Sequence, residues 1–167
     1  MYEFLSRARL LRVPLKCIYG ENMAVLNPNN WHWVDKNTLP WSERYFQERL
    51  VNYKVNVTSD EYEIVIKAIS NIKGDSNVSQ RKGKPICYFD LNMGLDIVIV
   101  KEEQELTGSI SIPEFMHDDD VFEIKSVVSE DKQVEKMVQS EFIPTLRSLL
   151  MKYQGDLIEE HSKDLQH

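Results

Sequence analysis

The stretch Cys87-Tyr88-Phe89-Asp90-Leu91-Asn92-Met93-Gly94-Leu95-Asp96-Ile97-Val98-Ile99 decides the fold. Its seven odd positions are all apolar, while Asp90, Asn92 and Asp96 stand among the even ones. A period of two is the strand period, so one face of this segment is dry and the other wet. Unbroken, it spans about 40 Å. Cys87 falls on the dry side and reads as an inert buried thiol.

Working outward, Leu106, Gly108, Ile110 and Ile112 alternate with Thr107, Ser109 and Ser111, and Phe122, Ile124 and Val128 continue the pattern. Upstream, Tyr62, Ile64, Ile66 and Ala68 alternate with Glu63, Val65 and Lys67. Short connections make neighbouring strands antiparallel. The stretch from Lys73 to Lys84 is the exception and reads as a long connection, a place where function often sits. Helical spacing flanks the strands. Phe46, Leu50 and Tyr53 share one face of a helix from Ser42 to about Tyr53, with Ser42 or Thr38 as its cap. Val134, Val138, Phe142, Leu146, Leu149, Leu150, Tyr153 and Leu157 form a stripe over residues 130–162, with Glu130 and Asp131 complementing the dipole of the first turn. Pro144 is expected to bend that helix and Gly155 to end it early. At about 48 Å it exceeds the roughly 40 Å diameter of a sphere of this mass. The expected fold is therefore α+β: an elongated domain with an N-terminal helix, a four-stranded antiparallel β-meander and a long C-terminal helix packed along the sheet.

The 167 residues suit one domain, and 42% hydrophobic with 28% charged residues is ordinary globular composition. Nothing approaches a membrane-spanning apolar run. Cys17 and Cys87 make no disulfide framework, which favours a reducing compartment. The net charge of −7 is concentrated in residues 101–129, with two basic against eight acidic side chains. That balance opposes nucleic-acid binding, where phosphate attraction dominates affinity. Residues 1–22 differ in carrying Arg7, Arg9, Arg12 and Lys16. Arg12 and Pro14 interrupt any secretory apolar core, and Glu3 and Glu21 weaken a mitochondrial presequence. The segment is expected to be a poorly ordered or non-native extension, with Met23 as an alternative start and residues 23–167 as the domain.

No catalytic set emerges. His32, His117, His161 and His167 are scattered without zinc-site spacing, and no nucleophile elbow, P-loop or dinucleotide fingerprint is present. His117-Asp118-Asp119-Asp120 reads as a solvated turn, with a hard-cation site, and hence a metal-dependent enzyme, as the lesser alternative. No cofactor and no metal are expected.

Two clusters exceed packing needs. Asn27-Pro28-Asn29-Asn30-Trp31-His32-Trp33 sets two tryptophans about a histidine after an Asn-rich turn, a composition suited to recognition. In an extended segment the two rings point apart, so one of them covering the core end is an equal reading. Arg81-Lys82-Gly83-Lys84 packs three cations about a flexible glycine. An acidic or polar partner would relieve their repulsion, and a solvated sheet edge guarded by lysine is the plainer alternative. Together the clusters also admit a basic-aromatic nucleic-acid module, against which the acidic balance stands.

Taken in order, Asn27-Pro-Asn-Asn-Trp-His-Trp-Val-Asp-Lys-Asn37, Trp41, Gly74-Asp75, Gln80-Arg-Lys-Gly-Lys84 and Phe89-Asp90-Leu91 resemble the N-terminal domain of activators of the heat-shock protein 90 ATPase. The match runs over about residues 24–165, and both long motifs, N-x-N-N-W-H-W and R-K-G-K, stand intact. The resemblance implies a helix at each end of a four-stranded meander. It also implies a cytoplasmic, monomeric co-chaperone that binds the middle domain of heat-shock protein 90, and secondarily its N-terminal domain. Such a protein is not itself an ATPase. It favours the chaperone's ATP-competent state, in protein folding and the stress response. By motif match, Arg81, Lys82, Gly83 and Lys84 would act on the chaperone's catalytic loop. Asn27, Asn29, Asn30, Trp31, His32 and Trp33 would affect its handling of nucleotide. Two departures stand out. Twenty-two residues precede Met23, and no second domain follows the last helix, so the chain is similar to the short, single-domain, Hch-type co-chaperones of fungi. Weaker stimulation than by two-domain relatives is expected.

Overall fold

In the computed structural model, residues 35–57, 62–81, 84–128 and 131–162 are described. The deciding segment lies at the centre. β4 (Lys84–Lys101) pairs antiparallel with β3 (Tyr62–Arg81) on one side and β5 (Gln104–Met116) on the other. β6 (Lys125–Val128) pairs with β5 and completes the meander. Two short strands join it. β1 (Asp35–Asn37) lies along one end of β3 and β2 (Lys54–Val57) along the other, which makes six strands rather than four.

The odd positions of β4 from Phe89 to Ile99 are buried, as their period requires. Cys87 is only half-buried, a correction to its reading as a core thiol. The largest correction concerns residues 73–81. They form no loop but the second half of β3, paired with β4 up to Arg81 opposite Lys84. The connection shrinks to Lys82 and Gly83. β3 holds its dry face through two irregularities, at Lys67 and at Ser70. Each extra residue inverts the side-chain parity. Ile64 and Ile66 face the core, Ile69 takes over between the bulges, and Ser76 and Val78 resume on even numbers. This explains why Ala68 is exposed. A third bulge, opposite Asn92, lets both Ile112 and Phe115 of β5 point inward.

Helices cover the dry face. α1 (Leu39–Leu50) starts three residues before the expected position, with Pro40 in its first turn. Thr38 stands at the N-cap position without a side-chain cap bond, and the Asn37 carboxamide oxygen accepts from the Leu39 amide instead, at 2.9 Å. Phe46 and Leu50 point into the core. The C-terminal helical stretch comprises α2 (Lys132–Met137), a π-helical turn (Val138–Phe142), α3 (Ile143–Leu150) and α4 (Tyr153–Ser162). The Asp131 carboxylate caps α2 by accepting from the Gln133 amide at 2.7 Å. The widened turn directly precedes Pro144, which lacks the amide proton an α-helix needs there. The stretch breaks at Met151-Lys152, whereas Gly155 lies inside α4 and ends nothing. The apolar stripe holds throughout, with Val134, Val138, Phe142, Leu146, Leu150, Tyr153 and Leu157 buried.

Candidate functional site: the tip of the longest hairpin

The basic motif sits at the end of the β3–β4 hairpin. Arg81 and Lys84 are its last pair and both are exposed. Lys82 and Gly83 lie outside the described residues, as do Asn27, Asn29, Asn30, Trp31, His32 and Trp33. Topology still relates the two motifs. Asp35, two positions after Trp33, opposes Ser79, two positions before Arg81. The strand that follows the tryptophan motif is thus the neighbour of the strand that ends in the basic motif.

On the sheet face opposite the helices, cross-strand partners form an ordered strip. Arg81 with Lys84 comes first, then Ser79 with Ile86, Asn77 with Tyr88, and Asp75 with Asp90. Asp35 and Asn37 of β1 flank Ser79 and Asn77. The strip therefore runs from cationic to apolar to acidic. Ile86 and Tyr88 are 40% and 49% exposed, which is unusual for large apolar residues on an even-numbered wet face. Tyr88 leans on the His117 ring, centroids 4.7 Å apart. Asp75 and Asp90 face each other as like charges, an arrangement that costs stability. Among the described residues neither of these two forms an ion pair. Gly74 makes their approach possible. Its φ is +131°, and a Cβ there would stand 2.0 Å from the Asp90 carbonyl oxygen. Ile86, Tyr88 and the aspartate pair escaped the sequence reading. The signal for the first two was present, since they are apolar at even positions beside Cys87.

The other candidates lose ground. The His117 amide donates to the Phe89 carbonyl at 3.0 Å, the Asp119 carboxylate accepts from the Val121 amide at 2.9 Å, and Gln154 Nε2 donates to Asp118 at 3.4 Å. The acidic run is thus a bonded turn. Among the described residues no group of three or more His, Cys, Asp or Glu side chains converges on a point. Burial pushes the Cys87 thiol pKa up, and nearby Asp118 adds to this, so it is no activated nucleophile. A groove of about 470 Å³ lies between α1 and α4, with Trp41, Arg44, Tyr45, Glu48, Glu159 and Glu160 among its lining residues. Trp41 stacks on Tyr45 at 5.0 Å and meets His161 edge-on at 5.1 Å, which makes it a covering residue of the helix layer.

The sheet face opposite the helices thus carries a charge-graded strip, and among the described residues no group of His, Cys, Asp and Glu converges beside it. Comparison with known proteins gives the chain a family. Residues 35–161 match the family model described as "Activator of Hsp90 ATPase, N-terminal". The chain belongs to this family. It is 46% identical over 154 residues to the Hsp90 co-chaperone HCH1 of Saccharomyces cerevisiae, covering 86% of this chain and 99% of that one. It is 38% identical over 155 residues to the Hsp90 co-chaperone AHA1 of the same yeast, but spans only 44% of that protein. The chain thus spans nearly all of HCH1 and less than half of AHA1. Among solved structures, the crystal structure of Aha-1 from Plasmodium falciparum superposes with a TM-score of 0.67 at 23% identity, over 78% of this chain and 91% of that one. The solution structure of the human Aha1 N-terminal domain gives 0.58 at 16% identity, over 75% and 99%. These likenesses establish the activator-domain fold.

Proposed function

We propose that this activator-family chain is a co-chaperone that binds the middle domain of Hsp90 through the open sheet face at the β3–β4 tip and stimulates its ATPase. The observation that carries this reading is the strip itself. Two exposed apolar side chains, Ile86 and Tyr88, stand between a cationic pair and an acidic pair on one hairpin. An apolar centre anchors a contact, and charges of opposite sign at its two ends fix the orientation of the partner. The full-length likeness to the yeast co-chaperone HCH1 supports the choice of partner.

An activator of this kind acts by differential affinity and needs no hydrolytic group of its own. If it binds the ATP-competent conformation more tightly, the population shifts toward that state, and about 1.4 kcal/mol of preference shifts it tenfold. Arg81, Lys82, Gly83 and Lys84 at the tip are suited to negative surface on the chaperone's catalytic loop and, secondarily, on its N-terminal domain. Asn27, Asn29, Asn30, Trp31, His32 and Trp33 enter as a second contact that alters nucleotide handling. The chain acts as a monomer in the cytoplasm, and residues 23–167 are the working domain. Among the described residues no helix is long and apolar enough to cross a membrane.

Calorimetric titration of the isolated Hsp90 middle domain tests the reading. Saturable binding is expected, weakened about tenfold or more by Ile86→Asp and carrying less heat at high salt. Absence of heat with the parent chain, or equal binding by the Asp variant, would remove this face from the contact.

A further inference from the structure

Four hydroxyl side chains meet inside the apolar core: Thr38 (1% exposed) at the β1–α1 junction, Ser42 (0%) in α1, Ser76 (0%) in β3 and Tyr153 (0%) in α4. Thr38 Oγ1 lies 2.8 Å from Ser76 Oγ, and Tyr153 OH lies 2.9 Å from Ser76 Oγ and 2.6 Å from Ser42 Oγ. Ser42 Oγ also donates to the Thr38 carbonyl at 2.9 Å and lies 3.2 Å from Ser76 Oγ. A backbone bond, Thr38 N–H to the Ser76 carbonyl at 2.7 Å, runs through the middle of the group. Aromatic rings pack against it: Phe46, Phe89, Tyr45 and Phe115 stand 4.7, 4.9, 5.5 and 5.8 Å from the Tyr153 centroid.

Packing does not require these hydroxyls. Replacing all partners of a buried hydrogen-bonded group by apolar side chains of the same shape is nearly neutral for stability, so the stability gained from keeping them is small. What directional bonds add is a unique alignment. The element most in need of one is β1. It has three residues, and so short a ladder specifies its register weakly. The hydroxyl group joins its end to β3 and to α4 together.

We propose that Thr38, Ser42, Ser76 and Tyr153 form a positioning lock that fixes the register of β1 on β3, and so fixes the point, two positions after Trp33 in sequence, at which the chain enters the sheet beside Ser79. With the lock closed, Asn37 opposes Asn77 and Asp35 opposes Ser79. A slip of one residue would turn Asp35 and Asn37 to the dry face and move the chain's point of entry one residue along β3. These are positioning residues, since none of them reaches the open face. The consequence for the chaperone rests on the proposed function; the register effect does not.

The test uses the full chain with two variants, Tyr153→Phe alone and Thr38→Val combined with Ser42→Ala, Ser76→Ala and Tyr153→Phe. Three readouts are taken: melting temperature, hydrogen exchange of the Thr38 amide, and the half-saturating concentration and plateau of Hsp90 ATPase stimulation. The combined variant is expected to melt near the parent while its Thr38 amide exchanges about tenfold faster. Its half-saturation should stay within about twofold of the parent, and its plateau should fall about threefold. Tyr153→Phe should lie between, and it decides the matter if the combined variant does not fold. Parental exchange and plateau in a folded variant would overturn the lock, as would a plateau that falls only in step with weaker binding or melting. If the parent gives no stimulation, the functional reading fails, and the exchange measurement alone decides the lock.

Discussion

Gly74 and Gly155 show how differently one residue type is used in this chain. Gly74 combines a φ of +131° with backbone 2.0 Å from any Cβ, whereas nothing lies within 4 Å of a Cβ at Gly155 in α4. Gly74→Ala should therefore cost about 3 kcal/mol. Gly155→Ala should stabilise by up to about 1 kcal/mol. Urea denaturation midpoints measure both, and shifts of equal sign would contradict this description of the backbone. Two tyrosine hydroxyls and a thiol make stability depend on alkaline pH. Burial first, then the bond donated to Asp156 Oδ2 at 2.6 Å, holds the Tyr45 proton well above its ordinary value of 10.0. Burial likewise raises Tyr153, with the Ser42 and Ser76 bonds opposing, and raises Cys87 from 9.0. The unfolded chain loses these protons at the ordinary values while the folded chain keeps them. Above about pH 9 the unfolded state thus binds fewer protons, and the stability these groups supply at lower pH is lost as pH rises. The melting temperature should fall beyond that point, less steeply in Tyr45→Phe; identical slopes would contradict it. The glycine at 74 was visible in the sequence, but its reason was not, because a positive φ beside a neighbouring strand follows from pairing alone.

At the scale of elements, legibility followed periodicity. β4 could be read because its seven odd apolar positions are uninterrupted. The second half of β3 could not, since Gly74, Asp75, Ser76, Asn77 and Ser79 are turn formers held extended by pairing with β4. The bulges at Lys67 and Ser70 hid the dry face of β3 by inverting its parity twice. The C-terminal stripe was legible, and a π-helical turn, Val138–Phe142, stands just before Pro144, where the missing amide is felt. Arg147 of α3 reaches across to the turn after β5. Its Nη1 donates to the Phe122 carbonyl at 2.8 Å and its guanidinium stands 4.6 Å from the Phe122 ring centroid. Arg147→Ala should lower stability by about 2 kcal/mol, and Arg147→Lys should recover only part of it. Full recovery by lysine would mean that charge alone holds the turn. The hairpin-tip element carries the docking prediction. Tyr88→Ala should weaken chaperone binding about tenfold without lowering the melting temperature, because Tyr88 is half exposed. A loss of stability matching the loss of binding would instead make Tyr88 a structural residue.

The whole molecule is acidic at −7, yet its hairpin ends in cations, so its charge is arranged rather than merely abundant. Helices occupy one face of the sheet, and the strip of Arg81, Ile86, Tyr88 and Asp90 lies on the other. That division was foreseeable from the wet even positions of β4, while the acidic end of the open face, Asp75 beside Asp90, appeared only when cross-strand partners were known. Steady-state ATP turnover by purified Hsp90, measured as the full chain is titrated in, tests the account most directly. It predicts a saturable rise, no turnover by the chain alone, and a lower, right-shifted curve for the chain carrying Arg81→Glu and Ile86→Asp. A flat titration with the parent chain, or a variant curve that overlays the parent's, would contradict it.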